Sequence, residues 1–293
     1  MAFDLATFIS AVGVAGAGAA WLSKQIVSQT LSKELEAEKG NIRKEVELTL
    51  REHASQLDYD SEAKKRLYNE IGPLRFQLLL ACRDLSGRVS SFANRPYETN
   101  LSGYFGRTTL YRILRPIAIS ELIERKIALA DFSIDRGAVD LLRFKKSAYA
   151  AFSGQSVVGD HPDLEWEHEV QHVFFDSLSK CANAIITSEN ENLERVMRFH
   201  EFEDLAINNS VIFMPFPKLL SGFTPDTKPI LWIRLVAYGN LCNQFINKTG
   251  DKVGFEVRQY PIEELIHQSE DTEIKSKKAY YIDACAKLPD SPL

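Results

Sequence analysis

The chain of 293 residues has only four cysteines, Cys82, Cys181, Cys242 and Cys285, and no two of them form a CxxC pair. That excludes a disulfide frame or an all-cysteine zinc site, and points to single buried thiols in a reduced compartment. Basic residues are not in excess. The net charge is −5 and the pI about 5.8, which argues against a dedicated nucleic-acid binder. No P-loop, no GxSxG elbow, no internal repeat and no alternation of strands with helices is present, so an all-α class is expected. From Ser28 to Arg66 there is no proline at all.

Long uncharged runs are missing everywhere but at one place. Between Asp4 and Lys24 lie 19 residues without a charge, Leu5–Ser23. In a helix they rise about 28 Å, close to the roughly 30 Å hydrocarbon core. The run is rich in alanine and glycine, and therefore only mildly apolar. Residues 1–27 read as a membrane anchor, with residues 5–27 in the bilayer and Trp21 at the interface. Lys24, Lys33, Lys39, Arg43 and Lys44 follow it and no base precedes it, so the positive-inside rule puts the remainder in the cytoplasm. A single-pass protein of the cell membrane results.

Three other readings compete. A signal peptide would need a basic start, and Asp4 stands there instead. A buried helix of a soluble domain is the second. The third is a dinucleotide fingerprint through Gly13, Gly16 and Gly18, which has the wrong order and no preceding strand. Small residues four apart, such as Gly13 with Ala17, suit close packing of two membrane helices.

Residues 28–66 read as a stalk helix. Leu31 and Leu35, Ile42 and Val46, and His53 and Leu57 recur every 11 residues. That is about 3.67 residues per turn, a nearly straight seam for self-association into a homo-oligomer. The alternative is one solvated helix folded back on its own domain. Residues 67–267 read as an all-α, helical-bundle domain. Gly72-Pro73 is expected to break or kink the helix at the junction, and Pro116 to kink another. Asp135 is expected to cap a helix through Phe152. Helices are expected over Leu164–Ser188, Glu191–Asn208 and Ile230–Lys248. Val253–Tyr260 is the one candidate strand, and residues 268–293 are expected to be a polar, loosely ordered tail.

The sharpest chemical pattern is His168-Glu169-Val170-Gln171-His172. In a helix this HExxH spacing stacks two imidazoles on one face, where they bind zinc while the glutamate activates water. Asn190-Glu191 resembles the third-ligand dipeptide of thermolysin-like zinc peptidases. The resemblance implies zinc on His168, His172 and Glu191, with Glu169 as general base. Against it, Trp166, Phe174, Phe175 and Leu178 already account for an ordinary amphipathic helix, and no substrate-binding sheet is predicted. A second pattern, Arg195 and His200, resembles the Arg–His pair of HEPN ribonucleases, which work on a scissile phosphate at a dimer interface. Val196 departs from that family's usual polar residue. Arg143, Lys145 and Lys146 read as a solvated helix face, with a lipid headgroup contact as the alternative.

The runs Lys65–Leu74, Tyr111–Pro116 and Leu129–Asp135 resemble uncharacterised bacterial proteins with one membrane helix and a long helical cytosolic part. The resemblance spans roughly the first half of the chain, rests on packing segments and turns, and implies no activity. The leading expectation is a membrane-tethered helical interaction or scaffold protein, with no cofactor and no assigned catalytic residue. The zinc peptidase and the ribonuclease are the enzyme alternatives.

Overall fold

The computed structural model describes residues 5–94, 99–127, 136–190, 193–250, 254 and 259–290, with side chains from Trp21 onward except at 66, 67, 136 and 290. It is 76% helix, with ten helices, which supports the all-α class. The chain divides into two compact units, Met1–Glu62 and Ala63–Leu293.

The first unit is one stretch of helix α1 (Leu5–Asn94). Every residue from Trp21 to Tyr59 is exposed. Its contacts are local, as in the Arg51–Glu47 ion pair one turn apart (2.7 Å). Among the described residues, no helix is long and apolar enough to cross a membrane. Most of the expected anchor, including all side chains from Leu5 to Ala20, lies outside that description.

The second unit begins with the remainder of α1. Ile71, Leu74, Leu78, Cys82, Leu85, Val89 and Phe92 are buried there, at spacings of three and four, the stripe a core-facing helix needs. α1 runs through Gly72-Pro73 without interruption, and α2 (Tyr104–Ile127) runs through Pro116. Neither proline ends its helix, so of the break or kink expected at Gly72-Pro73 the break is corrected. Burial of Leu74 and Leu78 after the first, and of Ile117 and Ile119 after the second, holds the helical path despite the missing N–H.

α3 (Arg136–Ser153) packs on α2 and on α7 (Pro229–Gly250), and α7 also packs on α10 (Lys278–Lys287). α7 is the central helix, buried almost all round. Its polar atoms find partners on neighbouring elements. Trp232 Nε1 donates to the Leu265 carbonyl (2.7 Å), Tyr238 Oη to that of Ile113 (3.2 Å) and Asn240 Nδ2 to that of Cys285 (3.0 Å). Gly239 lets the Tyr260 hydroxyl approach, since a Cβ there would stand 2.1 Å from it.

Several expectations are corrected. The helix expected over Leu164–Ser188 is only α4 (Phe175–Ala184), preceded by irregular backbone. In place of the start of the next helix comes an antiparallel hairpin, β1 (Ile186–Asn190) and β2 (Leu193–Val196), in register Ile186↔Val196 and Thr187↔Arg195. The β-branched Ile186-Thr187 favours the extended backbone. Helix α5 follows only at Phe199–Asn208, and α6 (Phe216–Leu220) leads towards α7. The C-terminal segment is packed, not loose. After α8 (Ile262–Ile266), helices α9 (Thr272–Ser276) and α10 bury Ile274, Tyr281 and Cys285. Asp135, the Leu129–Asp135 run and most of Val253–Tyr260 lie outside the described residues.

Candidate functional site

The HExxH segment is not helical. Bonds from two of its side chains, and from the amide just after it, take the place of a helix. Glu169 Oε1 accepts from the Phe174 amide (2.9 Å) at the start of α4. Gln171 Oε1 accepts from the amides of Ile230 (3.0 Å) and Leu231 (3.3 Å), the orphan donors in the first turn of α7. The amide of Val173 donates to the Phe152 carbonyl (3.2 Å) at the C-terminal end of α3. Long-range bonds thus compete with a local helix and win.

The two histidines are consequently parted in character. His168 is exposed, and its Nδ1 faces Glu165 Oε1 (2.7 Å). His172 is 1% exposed, its ring lying between Trp166 (centroids 5.0 Å apart) and Phe174 (4.9 Å). The one-face stacking on which the zinc reading rested is absent. Glu191, its third ligand, lies outside the described residues. Burial lowers the proton affinity of His172, and the charge of Arg234 lowers it further, so the ring is neutral at pH 7.

Among the described residues, two groups have ligand atoms close enough to share an ion: Glu165 with Glu167 and His168, and His161 with Asp163 and Asp271. The first is wholly exposed. In the second, both ring nitrogens of His161 and one oxygen of Asp271 are already engaged. His161 Nε2 lies 3.2 Å from Asp271 Oδ1, its Nδ1 accepts from the Asp163 amide (3.2 Å), and Asp271 Oδ1 also caps α9 through the Ile274 amide (2.9 Å). This is a structural tie between the 161–163 turn and α9.

Arg195 lies on β2 and His200 in the first turn of α5. All three guanidinium nitrogens meet carboxylates: Nη1 and Nη2 bond Glu201 (2.7 and 2.8 Å), and Nε bonds Glu189 (2.7 Å). Bonding to Arg195, and then to the Arg198 amide, brings the Glu201 carboxyl down to about 2. This arginine therefore ties the hairpin to α5 and presents no free edge to a phosphate. The basic cluster is also reassigned. Arg143 faces Asp140 (3.7 Å), but Lys145 turns inward. Its Nζ meets Glu121 Oε2 (3.0 Å) and Glu124, while the Tyr149 hydroxyl donates to Glu121. Only part of the expected solvated face is solvated, because α3 needs a charge partner for the buried Glu121 of α2.

The four cysteines are free and buried. Burial pushes the Cys181 thiol up to about 12, so it is an inert packing group and not a nucleophile.

One functional-looking residue escaped the sequence reading: Arg234, in the middle of α7 and fully buried. Its Nη1 donates to the carbonyls of Ala151 (2.9 Å) and Gly154 (2.8 Å) at the end of α3. Burial lowers its proton affinity to about 10. The signal was available, since a single arginine interrupts the run Ile230–Leu241, which is otherwise free of charge. Comparison with known protein families, with curated proteins and with solved structures finds no match to this chain.

Proposed function

We propose that the chain is a membrane-tethered interaction protein. In this reading the Ala63–Leu293 unit is a helical module displayed on a stalk that self-associates. The observation that carries the reading is the uncovered stripe of α1. Leu31, Leu35, Ile42, Val46 and Leu57 all stand more than half exposed, at the 11-residue period of a straight seam. Helices of globular proteins draw most of their stability from packing an apolar face. A helix that leaves a periodic apolar face bare is suited to a partner of the same kind.

The occupant is a second copy of the same chain. The stalk carries both signs of charge between its apolar positions, Glu34, Glu36, Glu38, Glu45 and Glu47 with Lys39, Arg43 and Lys44, so equal stalks side by side need no other partner for charge balance. Trp21, Leu22, Ile26 and Val27 are also exposed apolar residues. Trp21 and Leu22 close the uncharged Leu5–Ser23 run and Ile26 and Val27 follow Lys24, and together they suit a lipid surface. Two chains tethered at the same end in one membrane must run parallel, which aligns their stripes in register.

The test uses a cysteine at Ile42 in the full chain. Because the native cysteines are buried, the new thiol is the reactive one. Oxidation in isolated membranes is expected to give a dimer with the Ile42→Cys variant. It is expected to give none with a cysteine at Lys44, which lies on the opposite face of the helix from the seam. Equal crosslinking of both, or recovery of the chain in the soluble fraction, would defeat the reading.

A further inference from the structure

The corner where α3 ends and α7 begins holds three buried polar atoms that have no hydrogen-bond partner among the described residues. Arg234 uses Nη1 on the Ala151 and Gly154 carbonyls. Its Nε and Nη2 are buried without a hydrogen-bond partner, and so is Nε2 of His172. Hydrogen bonds on either side of His172 bring it to the corner that Arg234 occupies, and the charge of Arg234 bears on its ring. Gln171 grips the first turn of α7, and Arg234 stands one turn further along on the same face as Ile230. Val173 bonds the Phe152 carbonyl, which lies between the two carbonyls that Arg234 takes. The residue between Gln171 and Val173 is His172.

An unpaired charge inside a protein is costly, and buried donors are nearly always satisfied. The end of α3 offsets part of the arginine's charge through its partial negative potential. Among the described residues, no carboxylate pairs with Arg234. The edge left over has a definite shape. Nε–H and Nη2–H point the same way from a planar guanidinium, spaced to meet two oxygens of one oxyanion. A neutral His172 carrying its proton on Nε2 adds a third donor.

We propose that Arg234 and His172 form a buried binding site for one small oxyanion of the phosphate or sulfate class, held by the Nε/Nη2 edge of the arginine and by Nε2 of the histidine. The bound anion supplies the missing countercharge and ties α7 to the 165–174 segment. Trp166 and Phe174 flank the histidine ring and are themselves 39% and 40% exposed. Entry therefore requires displacement of one thin, irregular segment and not of the core. The site is independent of the stalk and of any membrane.

The full chain, purified without phosphate or sulfate, is titrated with phosphate against chloride at constant ionic strength, and thermal unfolding is followed. A saturable rise in Tm is expected with phosphate. The Arg234→Lys variant keeps the charge but loses the two-toothed edge, and it is expected to lose the response. His172→Phe is expected to need at least tenfold more phosphate for the same rise. Because salts of this kind also stabilise proteins non-specifically, an identical rise in wild type and both variants would overturn the proposal. So would the absence of any difference between phosphate, sulfate and chloride in the wild type, in which case the corner holds water only. If neither variant folds, ion chromatography of the denatured wild type decides: an anion near one per chain supports the site, and none overturns it.

Discussion

Leu31, Leu35, Ile42 and Val46 in the first unit are exposed, whereas Leu78, Leu85, Val89 and Phe92 in the second are buried. Both sets lie on α1, at helical spacing, and use the same residue types. The difference teaches that periodicity specifies a face without specifying what covers it. In the second unit the cover comes from the same chain. In the first the stripe stands exposed.

The largest expected effect tests the covered side of this contrast. Trp232 is fully buried at the centre of α7 and hydrogen-bonded to Leu265. Trp232→Ala should destabilise the second unit by about 3–5 kcal/mol in chemical denaturation followed by circular dichroism. Helicity from residues 21–59 should be unaffected. Loss of both together would mean that the two units are not separate in stability.

Gln171→Ala removes the acceptor for two amides of α7 and should cost about 0.5–2 kcal/mol, the range of a lost helix N-cap. An unchanged denaturation midpoint would contradict its role as a remote cap. A smaller effect is expected from pH. Glu201 is held at about 2 in the folded chain against an ordinary 4.5. A depressed carboxyl contributes stability that is complete above the ordinary value and is lost as pH falls through the folded one. The link between hairpin and α5 should therefore weaken between about pH 4.5 and pH 2, and in Glu201→Gln this part of the acid dependence should vanish. The smallest effect sharpens the comparison from the uncovered side. Leu35→Glu with Val46→Glu should change the unfolding of the second unit by no more than about 0.5 kcal/mol, as surface positions do.

Much of this architecture was legible in the residues. The proline-free, charge-rich stretch after Ser28 announces a long helix, and the dense apolar run Ile230–Ile246 announces the buried α7. What was not legible depends on contacts distant in sequence. His168–His172 has helical spacing, but Gln171 and Val173 are claimed by α7 and α3, and local propensity yields to such bonds. Ile186-Thr187 and Asn190 carried strand and turn signals that a continuous amphipathic pattern obscured. The C-terminal segment looked polar because most of it is. Four hydrophobic residues, Ile274, Tyr281, Cys285 and Leu288, dock it. Arg234 was hidden in the opposite way, since its apolar neighbours drew the reading towards packing alone.

The central claim is that the bare stripe of α1 is covered by a second copy of the chain. Sedimentation equilibrium of the full chain in a density-matched detergent tests it most directly. A dimer or higher assembly is predicted for the wild type, with a shift to monomer in Leu35→Glu/Val46→Glu. A wild type that sediments as a monomer, or an assembly that survives both substitutions unchanged, would contradict it.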